Sequence, residues 1–315
     1  MAKPTQTTED SFVDLPRVNG VVNAVREYWL WYLLFLPTLL YLILLLWVPL
    51  MQGVWMSFHN WPSGGTPQWV GLENYQYLFG WEPFYTSLYA TLWFGFSTFI
   101  QVVLAVTAAS VVANLNKFKS LVSTGFIIPY TMPPVVTGTI WLFLLNPSFG
   151  SIWGYLMKWG VVEEPIYWAS SGVPALTVVT GVLVWTFWPF MFLIILATRE
   201  SIPDDFYETA RVYGANRVQM FLSITLPQLK SAILVAVSIR LIWNLAKVSQ
   251  AFQLTQGGPG YDTSVLGVLL YRFAYLQGRF GMGFAVGMIL LALTIVFVAL
   301  FIREFERARK EGAGA

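Results

Sequence analysis

Long apolar runs alternate with short polar joints along this chain. Six runs, near residues 29–51, 87–113, 121–145, 174–197, 231–256 and 281–302, each reach the about 20 mostly apolar residues that a membrane-crossing helix needs. The first, WLWYLLFLPTLLYLILLLWVPLM, is uninterrupted. It follows a polar tail, is too long for the apolar core of a secretion signal, and has no small-residue cleavage site after it, so a retained helix is expected. The third run begins GFIIPYTMPPVVTG, and Pro129, Pro133 and Pro134 remove backbone donors and kink helices. An irregular helix packed inside a bundle is expected there, because lipid cannot satisfy the freed groups. Ser264–Gly278 is apolar but short and carries Arg272, which predicts a re-entrant or interfacial segment. The pattern predicts an all-α, polytopic integral membrane protein with six transmembrane helices.

Composition narrows the class further. Hydrophobic residues make up 57% and charged residues 11%, where soluble domains carry ~25% charged residues. Mean hydropathy is +0.62. A net charge of +2 gives no electrostatic footprint for nucleic acid. The absence of cysteine excludes disulfides, thiol nucleophiles and cysteine metal sites, and His59 as the one histidine leaves His-based metal sites and Ser-His triads poorly supplied. No catalytic or metal-binding residues are nominated, and the chain is not expected to be an enzyme. The basic residues set an orientation. With the N-terminus inside, Lys3, Arg17, Arg26, Lys117, Lys119, Arg199, Arg211, Arg217, Lys230, Arg303, Arg307, Arg309 and Lys310 fall in the cytoplasm, against Lys158, Arg272 and Arg279 outside. The positive-inside rule therefore favours a multi-pass cell-membrane protein with both termini cytoplasmic. Trp29, Trp31, Trp47, Trp55, Trp61, Trp69 and Trp81 flank the first run and its outer loop, where they serve either as interfacial anchors or, for a few, as sugar-stacking rings.

The inward loop before the fifth run reads RESIPDDFYETARVYGANRVQMFLSITLPQLK over residues 199–230. Ser201 and Asp204 have capping-box spacing, Pro203 suits a first helical turn, Gly214 is a natural stop, and Asn216 can cap a second short helix. Phe206, Ala210 and Tyr213 fall at i, i+4 and i+7 on one face. This apolar stripe is covered either by a partner's groove or by the membrane surface and the protein's own helix ends.

The same loop resembles the signature of membrane subunits of binding-protein-dependent ABC importers, which runs Glu-Ala-Ala, Gly three residues on, then Ile-x-Leu-Pro. Here the residues are Glu208-Thr209-Ala210, Gly214-Ala215 and Ile224-Thr225-Leu226-Pro227. Thr209 replaces an alanine, and Tyr213 stands where an acidic residue is common. Val70-Gly71-Leu72-Glu73-Asn74-Tyr75, Asn146-Pro147 with Gly150, and Leu254-Thr255-Gln256-Gly257-Gly258-Pro259 resemble segments of the carbohydrate branch, similar to the first permease of maltose, trehalose and glycerol-3-phosphate systems. The resemblance covers roughly residues 30–302 and implies the type I ABC importer transmembrane fold. It implies a tail at 1–28, a first helix and external loop at 29–86, a transporter domain at 87–302 holding the coupling loop, and a tail at 303–315.

The resemblance also implies a division of labour. The chain has no G-x-x-x-x-G-K-[ST] phosphate loop, so ATP and Mg would be handled by two partner ATP-binding subunits, with no cofactor bound here. A second homologous permease would complete a heterodimer in the lipid bilayer, and an extracytoplasmic solute-binding protein would deliver the sugar, a disaccharide such as trehalose or maltose being the expected cargo. Phe206, Glu208, Thr209, Ala210, Tyr213, Gly214 and Ala215 would dock on the ATPase.

The fifth run places Arg240, Asn244, Lys247 and Ala251 on one face of a continuous helix, with Gln250 nearby. Cations at mid-bilayer cost ~2.5–3.5 kcal/mol on insertion scales, so they should face water or an acidic partner. Two readings stand: a pathway lined by Arg240, Trp243, Asn244, Lys247, Gln250 and Gln253, or cations that hold subunits together. Competing functions are an autonomous ion-coupled secondary transporter and an importer for a phosphorylated glycerol compound.

Overall fold

The computed structural model describes the backbone of residues 16–115 and 117–313, and the side chains of residues 27–115 and 117–306. Two units are distinguished, Met1–Gly53 and Val54–Ala315. In the first, α1 (Pro16–Leu42) leads through a widened turn at Ile43–Trp47, where the Val48 N–H reaches back to the Ile43 carbonyl, into α2 (Val48–Ser57). Glu27–Ser57 has the length and hydropathy of a membrane span, and the side chains of residues 27–49 are exposed all round. A helix that is apolar on every side has lipid as its solvent. Residues 16–28 of the expected N-terminal tail are already helical, and the last helix runs on through much of the expected tail at 303–315. Lys3 lies outside the described residues, as do the side chains of Arg17, Arg26, Arg307, Arg309 and Lys310.

The second unit opens with a small exception to the all-α expectation. Strand β1 (His59–Asn60) pairs antiparallel with β2 (Gln68–Trp69), His59 opposite Trp69. Asn74 holds this corner by donating to the carbonyls of Ser57 at 2.9 Å and His59 at 3.0 Å, so the Val70–Tyr75 motif is an architectural clasp. The chain continues as α3 (Glu73–Phe79), α4 (Glu82–Ala113), α5 (Lys119–Thr131), α6 (Pro134–Leu144), α7 (Ser151–Lys158), α8 (Gly172–Glu200), α9 (Asp204–Val212), α10 (Arg217–Met220), α11 (Leu226–Leu245), α12 (Ser249–Thr255), α13 (Leu266–Tyr271) and α14 (Phe280–Ala313).

Helices α4, α8 and α11 pack against one another and form the centre. The buried face of α4 is rich in small residues, including Ala90, Gly95, Ser97, Thr98, Ala105 and Ala109, which let neighbouring backbones approach closely. Hydroxyls of Thr91, Ser97, Thr180 and Thr186 donate to carbonyls three or four residues back on their own helices, so their burial leaves no donor unpaired. One apolar cluster joins Phe94, Leu183 and Phe187; a second joins Ala105, Met191, Ile195 and Leu229; a third joins Phe84, Leu269, Phe273 and Val286.

Among the described residues, five helices are long and apolar enough to cross a membrane, and a sixth span exists if α5 and α6 are counted as one. That pair is bent by 95°. The break falls in the middle of the expected third span. Met132 and Pro133 each precede a proline, which drives both into extended backbone. Past the bend, Gly138 meets α12 so closely that an added Cβ would lie 2.7 Å from the Gln253 Cβ. The expected fifth span is also corrected. Helix α11 ends at Leu245, and α12 begins only at Ser249. The short apolar segment is present as Leu266–Leu276, too short to cross on its own, with Leu266, Leu269 and Phe273 buried in the third cluster.

Candidate functional site

Two groups of side chains stand out, one in the loop between α8 and α11 and one in the middle of the bundle. In the loop, Asp204 and Asp205 occupy the first turn of α9 and Arg211 its last, each sign matched to the helix dipole. The expected Ser201 capping box does not form. Ser201 still belongs to the closing turn of α8, and its Oγ donates to the Thr198 carbonyl at 2.8 Å. Pro203, in extended backbone, then leads directly into α9. The stop is as expected: Gly214 has φ +79°, a left-handed conformation that favours glycine, and the Ala215 N–H reaches back to the Ala210 carbonyl at 2.9 Å. Asn216 caps α10 in a reciprocal box with Gln219.

The sequence-derived stripe is left bare. Phe206 is 50% and Tyr213 86% exposed, Ala210 is half-buried, and Glu208 and Thr209 are exposed. The residue that anchors α9 is one the spacing did not single out. Tyr207 is 6% exposed and is the buried side chain of this helix. Its hydroxyl pairs with the Thr225 Oγ1 at 2.9 Å, and the Arg199 guanidinium lies 4.3 Å from its ring centroid. Arg199 closes α8, and Thr225 directly precedes α11. Lys119 and Glu200 form an ion pair of 2.6 Å at the same end of α8.

In the bundle, Arg240 is 1% exposed. Its Nε donates to the Gln101 Oε1 at 2.9 Å and its Nη2 to the Asn244 Oδ1 at 2.6 Å. The Asn244 amide donates to the Thr98 Oγ1 at 2.8 Å. The Phe187 ring lies 4.3 Å from the guanidinium, and the Lys247 Nζ approaches the same ring at 4.1 Å. Arg240 is therefore satisfied inside the protein by amides and an aromatic face, not by open water. The partner is an amide and not an acid: Gln101, a polar residue inside the second apolar run, is the signal that the sequence carries for it.

The other expected pathway residues differ in exposure. Trp243 is 43% exposed and stands 4.9 Å from Phe190. Asn244 and Gln250 are buried, while Lys247 and Gln253 are half-buried. The break at Ala246–Val248 ends the continuous helix expected to carry Arg240 and Lys247 together, yet Lys247 still meets Phe187 beside Arg240. Among the described residues, no cluster of His, Asp and Glu could hold a metal ion.

The family model described as "Binding-protein-dependent transport system inner membrane component" matches residues 101–309. The chain is 30% identical over 281 residues to the trehalose/maltose transport system permease protein MalF of Thermococcus litoralis, covering 88% of this chain and 94% of that protein. It is 30% identical over 290 residues to the sn-glycerol-3-phosphate transport system permease protein UgpA of Pectobacterium atrosepticum, covering 90% and 96%. The fold is similar to the crystal structure of a bacterial ABC transporter involved in the import of the acidic polysaccharide alginate. That match has a TM-score of 0.78 and 24% identity, and covers 91% of this chain and 99% of the other.

Proposed function

Because the chain belongs to the family of binding-protein-dependent transport system inner membrane components, we propose that it forms half of a sugar-translocation pathway beside a second homologous permease, with α9 as the element that engages an ATP-hydrolysing subunit. Membership makes it a multi-pass inner-membrane permease of an ABC importer and removes the ion-coupled secondary transporter considered from sequence. The observation that carries the docking reading is the bare stripe on α9. A short helix that keeps Phe206 and Tyr213 exposed beside Glu208 is built to be covered by protein. Closure of two ATPase subunits would then move the loop, and ATP shifts the bundle only through its different affinity for the two states. With this assignment the loop and both termini lie in the cytoplasm, as the basic residues favour. ATP and Mg would reside on the two partner subunits, and an extracytoplasmic binding protein would present the solute.

A disaccharide such as trehalose or maltose is the proposed cargo, supported by the relatedness to a trehalose/maltose permease and by Trp243, an accessible ring of the kind that stacks on a pyranose. One observation favours a second reading. Among the described residues, Arg240 and Lys247 share Phe187 and neither forms an ion pair with a carboxylate, which suits an anionic cargo such as a phosphorylated glycerol compound. Proteoliposomes holding this chain, a second permease, the ATPase subunits and the binding protein separate the two. ATP-driven uptake of labelled trehalose or maltose, lowered by Trp243→Ala, supports the first reading. Uptake of glycerol-3-phosphate alone, lost in Lys247→Gln, supports the second. Nucleotide-independent accumulation by this chain by itself would overturn both.

A further inference from the structure

The docking helix needs a rigid connection to the bundle, and a single side chain supplies the contacts for one. Tyr207 is buried on a helix whose remaining side chains are mostly exposed. Its ring is covered by Arg199, the basic residue in the last turn of α8, where a cation is also favoured by the helix dipole. Its hydroxyl meets Thr225, which is itself buried immediately before α11. The two helices that leave the loop are thus tied to α9 through the same phenol. Higher in the bundle the same pair is joined again, where Arg240 of α11 lies over Phe187 of α8. The two ties are separated by roughly 18 Å along α8 and roughly 22 Å along α11, at ~1.5 Å per residue. A shear of α8 against α11 would have to break both.

We propose that Tyr207 is the positioning residue of the coupling loop, and that it makes α8, α9 and α11 move as one rigid lever. The proposal rests on α9 being the ATPase-docking element. It assigns to Tyr207 a task distinct from docking: the bare stripe grips the partner, and the buried phenol passes the displacement to the membrane helices. A residue that merely filled space would act through its ring. A latch acts through its hydroxyl as well.

The complete complex, with second permease, ATPase subunits and binding protein, tests this. Tyr207→Phe and Thr225→Val each remove one side of the same hydroxyl pair. Both variants are expected to retain their ATPase subunits on purification while the stimulation of ATP hydrolysis by loaded binding protein falls about fivefold, the equilibrium equivalent of one ordinary hydrogen bond. The double variant should be no worse than either single one, and Thr225→Ser, which keeps the hydroxyl, should restore stimulation. Because the chain has no cysteine, nitroxide labels at Leu193→Cys and Val212→Cys report the α8–α9 distance directly. That distance should be the same with and without ATP in the parent and should broaden in Tyr207→Phe. Parental stimulation in both single variants, additive losses in the double variant, or a parental label distance that changes with ATP would each overturn the latch. The docking reading fails separately, if Tyr213→Asp leaves the ATPase subunits bound.

Discussion

The loop around α9 and the polar cluster around Arg240 use the same interaction to opposite ends. Each sets a guanidinium over an aromatic ring at 4.3 Å, Arg199 over Tyr207 and Arg240 over Phe187. In the loop the aromatic is the one buried side chain on an otherwise accessible helix, so the contact holds up the surface proposed to meet an ATPase subunit. In the bundle both members are buried, and Gln101 and Asn244 close around the arginine. The surroundings, not the residue pair, separate the two: an accessible helix held by one buried ring, and an enclosed knot that joins α4, α8 and α11.

The sharpest break of this comparison is Gln101→Leu. It leaves a buried guanidinium without one of its two amide acceptors and should cost about 2–3 kcal/mol of stability, read as a lowered Tm in detergent. The double variant Gln101→Leu with Arg240→Met should regain most of that loss, because an apolar pair leaves no charge to satisfy. A double variant as unstable as the single one would sink the account of the cluster.

The loop should respond in function instead. Glu208→Ala is expected to reduce binding-protein-stimulated ATP hydrolysis by about tenfold, equivalent to ~1.4 kcal/mol of lost docking energy, with Tm unchanged. A shifted Tm with normal coupling would reverse the roles assigned to the two regions. Asn216→Ala removes the capping box of α10 and should cost about 1 kcal/mol locally, visible as faster amide exchange at Arg217–Met220 and nowhere in the bundle. The smallest effect belongs to Lys119→Ala. Its ion pair with Glu200 has both partners about 40% exposed, so its loss should fall within ~0.5 kcal/mol and vanish in high salt.

What the sequence made legible follows from the length over which each signal is summed. Hydropathy averaged over about 20 residues locates a span whatever its neighbours do, and the first, second, fourth and sixth runs coincide with α1–α2, α4, α8 and α14. Local chemistry also located the Gly214 stop and the Asn216 cap, because each needs only a few residues of its own segment. The end of α11 at Leu245 was hidden: residues 228–256 contain neither glycine nor proline, so nothing in the chain itself marks a break. Tyr207 was hidden for a related reason. Helical spacing found the stripe of Phe206, Ala210 and Tyr213, but only the positions of Arg199 and Thr225 decide which face of α9 turns inward. At Ser201 the expected capping box is absent because that residue closes α8 and α9 begins only at Asp204.

The sharp corner between α5 and α6 raises a question of hydrogen-bond supply at the start of a helix set among apolar neighbours. A new helix ordinarily begins with roughly four amide N–H groups that have no carbonyl to meet, and each one stranded in hydrocarbon costs several kcal/mol. At this corner the first two positions are Pro133 and Pro134, which carry no N–H at all, and the Thr137 amide already reaches the Pro133 carbonyl at 3.0 Å. The residues that break the span therefore also delete half of the amide demand that breaking it would create, and only the N–H groups of Val135 and Val136 are left for the surroundings to meet.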